Sequence, residues 1–504
     1  MAVRCFFSGK RSPRMSLVEV IGPVGWAVWL PPLAFFAVSL RSNLNLGYRY
    51  LLPMLPFLYV LAGRMGAWIA DRLSADALPA RSGPRHALLV AATTALAGWT
   101  AWSGLAIYPD YLAYFNEWAG GPDGGWRILV DTNLDWGQDL KGLKHWMDEH
   151  GVERVKLGYV GEAYPSYYGI DFDPLPSWPD RWQHPEHHDL YPPDPAPGLY
   201  AISANLIQGR YLADPETYAW FRARTPIDKV GYSIFIYDVP ARGGGSAREG
   251  GSAVLALSGL ALSDVREGDY ARLGTNDVRV LWFDARRALV RPENEAVPAH
   301  LYLAEGTPLH PALAELGPEE EGSCEPSTTR AGQPLCIWTA PPHPAWSARA
   351  RALAAEAPAW HLGAARFTPG DPEDHGQRLA YPVQFGETLE LLAYERLPGE
   401  PLTWLTYWRV RAPADAPLKL FFHLLDAEGT YAVGEDRLDV WYDNWAAGDI
   451  LVQVHEVTLP ADLTPGRYQV ELGVYDPETM QRLPVVRDGT MIADRILLAP
   501  VQME

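Results

Sequence analysis

Cysteine is nearly absent: Cys5, Cys324 and Cys336 are the only three in 504 residues. Cys324 and Cys336 share one segment, where a bridge and two reduced thiols fit the spacing equally; Cys5 stands unpaired at the N-terminus. Acidic residues are nearly absent from the first 108 positions, which carry ten Lys/Arg against Glu19, Asp71 and Asp76. Basic residues are the scarce class in the remainder, 32 against 58 acids, and the whole chain has a net charge of -19. That excess argues against a nucleic-acid partner, because a phosphate backbone demands a basic face. Calcium-loop spacing is absent. The histidines at His184, His187 and His188 match no zinc signature and read as a solvated Pro/Trp-rich loop.

Charge is also missing from two long runs. Residues 20–40 and 87–108 carry no acidic or basic side chain, and each is about the length that crosses a hydrocarbon core. Residues 51–70 form a third apolar window, interrupted by Arg64, which spans only if that arginine snorkels or faces protein. The expectation is a transmembrane region at 1–108 with three helices. Arg4, Lys10, Arg11 and Arg14 precede the first window, and Arg64, Arg72, Arg81 and Arg85 lie in or after the second. The positive-inside rule places both groups in the cytoplasm, the loop with Arg49 outside, and everything after residue 108 extracytoplasmic. Arg49, flanked by Tyr48 and Tyr50, then has two readings: an interfacial anchor, or a cation that meets an anionic partner.

The alternation of elements at 109–240 predicts a small α/β domain: a strand at 126–131, an amphipathic helix at 138–150 with Leu140, Leu143, Trp146 and Met147 on one face, and a strand at 154–160. A strand at 198–207, a helix at 215–224 and a strand at 230–239 complete it. Its most chemically loaded segment is DTNLDWGQD, residues 131–139, at the carboxyl end of a predicted strand, where open α/β sheets bind ligands. Asn133 or Asp135 as helix caps, with Asp139 beside the positive helix end, account for the segment without a ligand. Read the other way, Asp131, Asn133, Asp135 and Asp139 hold a sugar or a divalent cation through oxygen ligands. No cofactor follows from any motif.

Residues 241–252, rich in glycine, are a flexible linker. Short apolar runs at 278–283 and 300–303 between turns predict a mixed α/β or β domain over 253–378, in which Glu319, Glu320 and Glu321 form a solvated turn. From 379 to 504 the pattern sharpens. Tyr468, Val470, Leu472 and Val474 alternate with Arg467, Gln469, Glu471 and Gly473, and similar runs centre on Trp404 to Trp408 and Leu418 to Leu424. With strands at 385–394, 450–459 and 492–498, these predict an antiparallel β-sandwich. Trp441, Tyr442 and Trp445 are either its packing residues or a platform for sugar rings.

The run NLNLGYRYLLP at 43–53, followed by YPDYLAYFNE at 108–117, Gly120-Gly121-Pro122 and NLDWGQDL at 133–140, resembles bacterial family 39 glycosyltransferases. These are the dolichyl-phosphate-mannose mannosyltransferase and RgtA/ArnT-like members of the GT-C superfamily. The ordered series covers about residues 40 to 170. The resemblance implies transfer of a sugar from a polyprenyl-phosphate donor to an acceptor on the outer face of the bacterial cytoplasmic (inner) membrane, by a multi-pass protein. It places Arg49 against the donor phosphate, oriented by Tyr48 and Tyr50, where a charge-assisted contact is strong. The catalytic acid of that superfamily lies in an earlier outer loop that has no counterpart here, and residues 41–50 contain no carboxylate. The chain therefore reads as the C-terminal part of such an enzyme, incomplete as a catalyst, with membrane lipid, the donor and a separately encoded N-terminal part as partners. The rival reading is a non-catalytic membrane-anchored module that binds glycan or a partner protein.

Overall fold

The computed structural model describes residues 23–41, 47–63, 84–180, 187–242, 253–292, 297–314, 324–340, 345–361 and 376–503. Four β-sheets dominate them. The first comprises β1 (Arg154–Gly158), β2 (Asp171–Pro174), β3 (Gly198–Ser203), β4 (Asp228–Val230) and β5 (Ile234–Val239), in the order β2-β1-β3-β5-β4. β1 runs parallel to β2 and β3, while β5 is antiparallel to β3 and β4.

A helix over Leu140–His150 covers one face of this sheet. Its buried stripe of Leu140, Leu143, Trp146 and Met147 packs with Val155, Leu157, Ala201 and Ile236, and it ends where Gly151 turns left-handed at φ 64°. Side chains of opposite parity on the same strands, Tyr200, Ile202, Phe235 and Tyr237, pack on the other face with Trp126, Leu134 and Phe221, as the two-residue strand period requires. Residues 126–131 form no strand. A short helix, Gly121–Gly125, leads into turns, and Asp131 adopts φ 66°, which a strand cannot accommodate. The expected helix at 215–224 contracts to Ala219–Arg222, and the strand expected at 230–239 is the β4–β5 hairpin.

The expected membrane-spanning region is corrected. Among the described residues no helix is long and apolar enough to cross a membrane. Pro23–Ser39 is apolar but has only 17 residues and contains Pro31 and Pro32. At 1.5 Å per residue these 17 described residues rise about 25 Å, against a hydrocarbon core of about 30 Å; residues 20–22 of the run lie outside the described residues. Pro84–Ala106 has 23 residues, yet it opens on Pro84-Arg85-His86 and is diluted by Thr93, Thr94, Thr100 and Ser103. The middle window begins instead with a 3-10 helix, Gly47–Met54, followed by helix at 55–63; 64–70 lies outside the described residues. The fold is therefore mainly β, and the α-helical membrane segment has no support in it. The same finding overturns the transmembrane reading and the multi-pass location in the bacterial inner membrane, and it gives the GT-C and extracytoplasmic readings no support.

In the second sheet Ala253–Ser258 runs parallel to Val278–Trp282 and to Ala299–Ala304. Pro334–Ala340 and Glu325–Thr328 continue it antiparallel. Cys324 and Cys336 form a disulfide, their Cα atoms 5.4 Å apart. Most of the 241–252 linker, Glu319 to Glu321 and Cys5 lie outside the described residues.

Two antiparallel sheets close the chain, one of six strands and one of seven. Gly466–Tyr475, Lys419–Leu425 and Ile496–Met503 lie in the six-stranded sheet, and Leu389–Leu397, Leu402–Val410 and Asp449–Val457 in the other. The strand expected at 385–394 is split by Gly386, at φ 56°, into Val383–Phe385 and Leu389–Leu397. Ala288–Pro292 pairs with Asp449–Val457 and forms the edge of the seven-stranded sheet. One hydrophobic core consequently runs from Val254 and Leu301 through Trp404 and Trp408 to Val470 and Leu498. Trp445 is buried in it, and Trp441 lies edge-on to His187, 4.7 Å between ring centres.

Candidate functional site

β1 and β3 end side by side, and the DTNLDWGQD segment lies across their carboxyl ends. Ser203, the last residue of β3, donates a hydrogen bond of 2.5 Å to Asp135, whose other oxygen accepts from the Gly137 amide at 2.7 Å. Ser233, in the β4–β5 turn, donates to Asp139 at 2.6 Å. Neither carboxylate caps the helix: Asp139 occupies the N-cap position with no side-chain bond to a helix amide. The serines anchor the segment to the sheet instead. Burial pushes Asp135 up to about 6, against the pull of Ser203 and Gly137 and with the Asp139 charge adding. Burial raises Asp139 as well, with Asp110 contributing to the same direction. Tyr159, which follows β1, donates to the Gly137 carbonyl at 3.0 Å, and its hydroxyl is raised mainly by burial and then by Asp135.

Asp131 is held differently. Its amide donates to Asn205 Oδ1, and its carboxylate accepts from the Tyr211 hydroxyl and meets Arg210 at 3.3 Å. Asn133 donates to the Val130 carbonyl at 3.1 Å. Thus Asp131 and Asn133 belong to a 3-10 turn, Asp131–Asn133, while Asp135 and Asp139 lie against the sheet. The four residues do not converge on one point. Among the described residues, no group of three or more His, Cys, Asp or Glu side chains is placed to hold a metal ion. His187 stacks on Trp282, 4.8 Å between centres, and lies 3.6 Å from Asp443; His184 lies outside the described residues.

The 3-10 helix Gly47–Met54, which carries Tyr48, Arg49 and Tyr50, packs against the Asp131–Asn133 turn. Between them opens a cleft of about 730 Å³ lined by Leu52, Tyr111, Tyr114, Phe115, Thr132 and Trp136, with Asn116 and Asn133 among its polar groups. Trp136 is fixed there by its indole N–H, which donates to the Thr132 carbonyl at 3.0 Å. Three stretches singled out in the sequence, at 43–53, 108–117 and 133–140, therefore contribute to one cavity. Nothing local in the sequence announces that meeting, because the first and last stretches are separated by about 80 residues. The sequence reading also passed over Ser203, Asn205, Arg210, Tyr211 and Ser233. They belong to strand ends and loops with no motif, and only the sheet topology reveals them.

Asp135 is 4% exposed and already accepts two hydrogen bonds, from Ser203 and from the Gly137 amide. Asp131 is engaged by Arg210 and Tyr211. The cleft combines an apolar, aromatic wall with a polar turn at its edge, the composition of small-molecule sites of this size. No protein-family model matches the chain, and no curated protein matches it.

Proposed function

We propose that this chain binds a saccharide carried on a polyprenyl phosphate and serves its transfer to an acceptor by holding the substrate, rather than by supplying the catalytic base. The observation that carries this reading is the convergence of Gly47–Met54 and Asp131–Asn133 on one apolar cleft. An isoprenoid needs such a wall, and its phosphate needs a cation nearby. To Arg49, carried on the first of the two segments, this reading assigns the phosphate, with its chain neighbours Tyr48 and Tyr50. The ordered resemblance to family 39 glycosyltransferases supports the same substrate class, and the engaged state of Asp131 and Asp135 supports the binding role.

The test is calorimetric titration of the full chain with farnesyl phosphate and with farnesol. Charge-assisted hydrogen bonds contribute about 1.5–3 kcal/mol, so Arg49→Ala should weaken farnesyl phosphate by about 10- to 100-fold and leave farnesol unchanged. Leu52→Trp, which fills the cleft, should weaken both. Equal affinity of wild type and Arg49→Ala for farnesyl phosphate sinks the phosphate role, and failure of either ligand to bind the wild type sinks the cleft.

A further inference from the structure

Bonded to the Asp131–Asn133 turn lies an aromatic stack that does not line the cleft. Trp178 and Tyr211 are stacked 4.7 Å apart at 23°, yet they remain 43% and 37% exposed. A tryptophan left so open forfeits burial energy that a core position would return. The pair is nevertheless held firmly. The Trp178 amide donates to the Tyr159 carbonyl at 3.0 Å, and its own carbonyl accepts from Gly161 at 3.0 Å. Tyr211 bonds through its hydroxyl to Asp131, and the Arg210 guanidinium lies 5.4 Å from the Tyr211 ring centre. Asp131 and Tyr211, joined by that bond, are both left-handed, at φ 66° and 67°. Such backbone is costly for residues with a side chain and persists where the surroundings enforce it, commonly at ligand sites.

We infer that Trp178, Tyr211, Arg210 and Asp131 form a saccharide platform, and that it receives the acceptor of the transfer. The chemistry selects a sugar. A flat exposed indole takes the C–H face of a pyranose, while a carboxylate and a guanidinium beside it accept from and donate to ring hydroxyls. A protein-binding hot spot would instead be surrounded by groups that exclude water, and here the neighbours are charged. The acceptor role rests on the proposed function, because the platform and the donor cleft share one turn: Asp131 belongs to the platform, and the next residues, Thr132 and Asn133, line the cleft.

The test titrates the full chain with mannotriose, cellotriose and chitotriose, followed by tryptophan fluorescence and saturation-transfer NMR. At least one should bind saturably. Trp178→Ala should weaken that binding by about tenfold or more, and Tyr211→Phe, which keeps the ring but loses its bond to Asp131, by less. Trp178→Ala should retain wild-type affinity for farnesyl phosphate, and both variants should keep the wild-type circular-dichroism spectrum, which shows that they are folded. Absence of saturable binding of all three trisaccharides, or binding that survives Trp178→Ala, overturns the platform. Trisaccharide binding lost in Trp178→Ala, in a protein that never binds farnesyl phosphate, upholds the platform and overturns the donor cleft alone.

Discussion

Asp135 shows how one buried carboxylate sets a pH dependence. Its value of about 6 in the folded chain lies above the ordinary carboxylate value of 3.8, so the folded state binds the proton more tightly than the unfolded state does. The associated stability is present at low pH, declines as pH rises above about 4, and is gone above about 6. The shift corresponds to about 3 kcal/mol at 1.36 kcal/mol per pH unit. Asn at this position imitates the protonated acid: its oxygen accepts from the Gly137 amide and its NH₂ faces the Ser203 hydroxyl. Asp135→Asn should therefore flatten the fall in stability between pH 4 and 6, measured as urea midpoints of the α/β domain. An unchanged pH profile would show that the carboxylate does not hold its proton in the folded protein.

At the scale of elements, the segment 131–139 keeps its shape through one glycine, Gly137. Gly137 sits at φ 75°, and a Cβ there would lie 2.2 Å from the Tyr159 hydroxyl and 2.8 Å from the Val160 carbonyl. Gly137→Ala should cost about 1–3 kcal/mol, seen as a lower urea midpoint, and should displace Trp136 enough to weaken farnesyl phosphate binding. A variant as stable as wild type would mean that the turn is loose. The helix after it was legible in sequence, because Leu140, Leu143, Trp146 and Met147 repeat at the helical period and all four are buried. Terminal strands such as Gly466–Tyr475 were legible by alternation in the same way. The segment at 126–131 was not, since its β-like composition says nothing of the left-handed Asp131 that Asn205, Arg210 and Tyr211 enforce from about 75 residues away. The candidate site divides along the same line. Residues 43–53 and 131–139 were each visible as segments, but their meeting around the cleft, and the Trp178–Tyr211 stack, depend on tertiary contacts that leave no local pattern. The membrane reading failed for a related reason. Runs free of charge were visible, but the described helix at 23–39 carries Pro31 and Pro32, and the one at 84–106 is less apolar than freedom from charge suggested.

At the scale of the whole molecule, the second sheet and the terminal sandwich are joined more closely than their sequence spacing implies. Ala288–Pro292 leaves the second sheet's segment to pair with Asp449–Val457, and the two units share one core. An ion pair ties them as well: Arg279, on a strand of the second sheet, reaches Asp449 through two bonds of 2.6 and 2.7 Å, and Asp449 is 1% exposed. A pair so buried gains little over apolar residues of the same volume, but breaking it strands a charge. Arg279→Ala should cost about 3–5 kcal/mol. Arg279→Met combined with Asp449→Leu should recover most of that loss, although Asp449 also accepts from the Ala446 amide at 2.9 Å, a bond that leucine cannot replace. Because core and strand pairing are shared, residues 253–503 should unfold in a single transition, with hydrogen-exchange protection lost together at Leu255 and Leu472. Arg279→Ala should lower that transition without dividing it. Two separate transitions in the wild type would mean that the shared core does not couple the units, and a cost below about 1 kcal/mol, the range of exposed pairs, would mean that Asp449 finds water when its partner is removed.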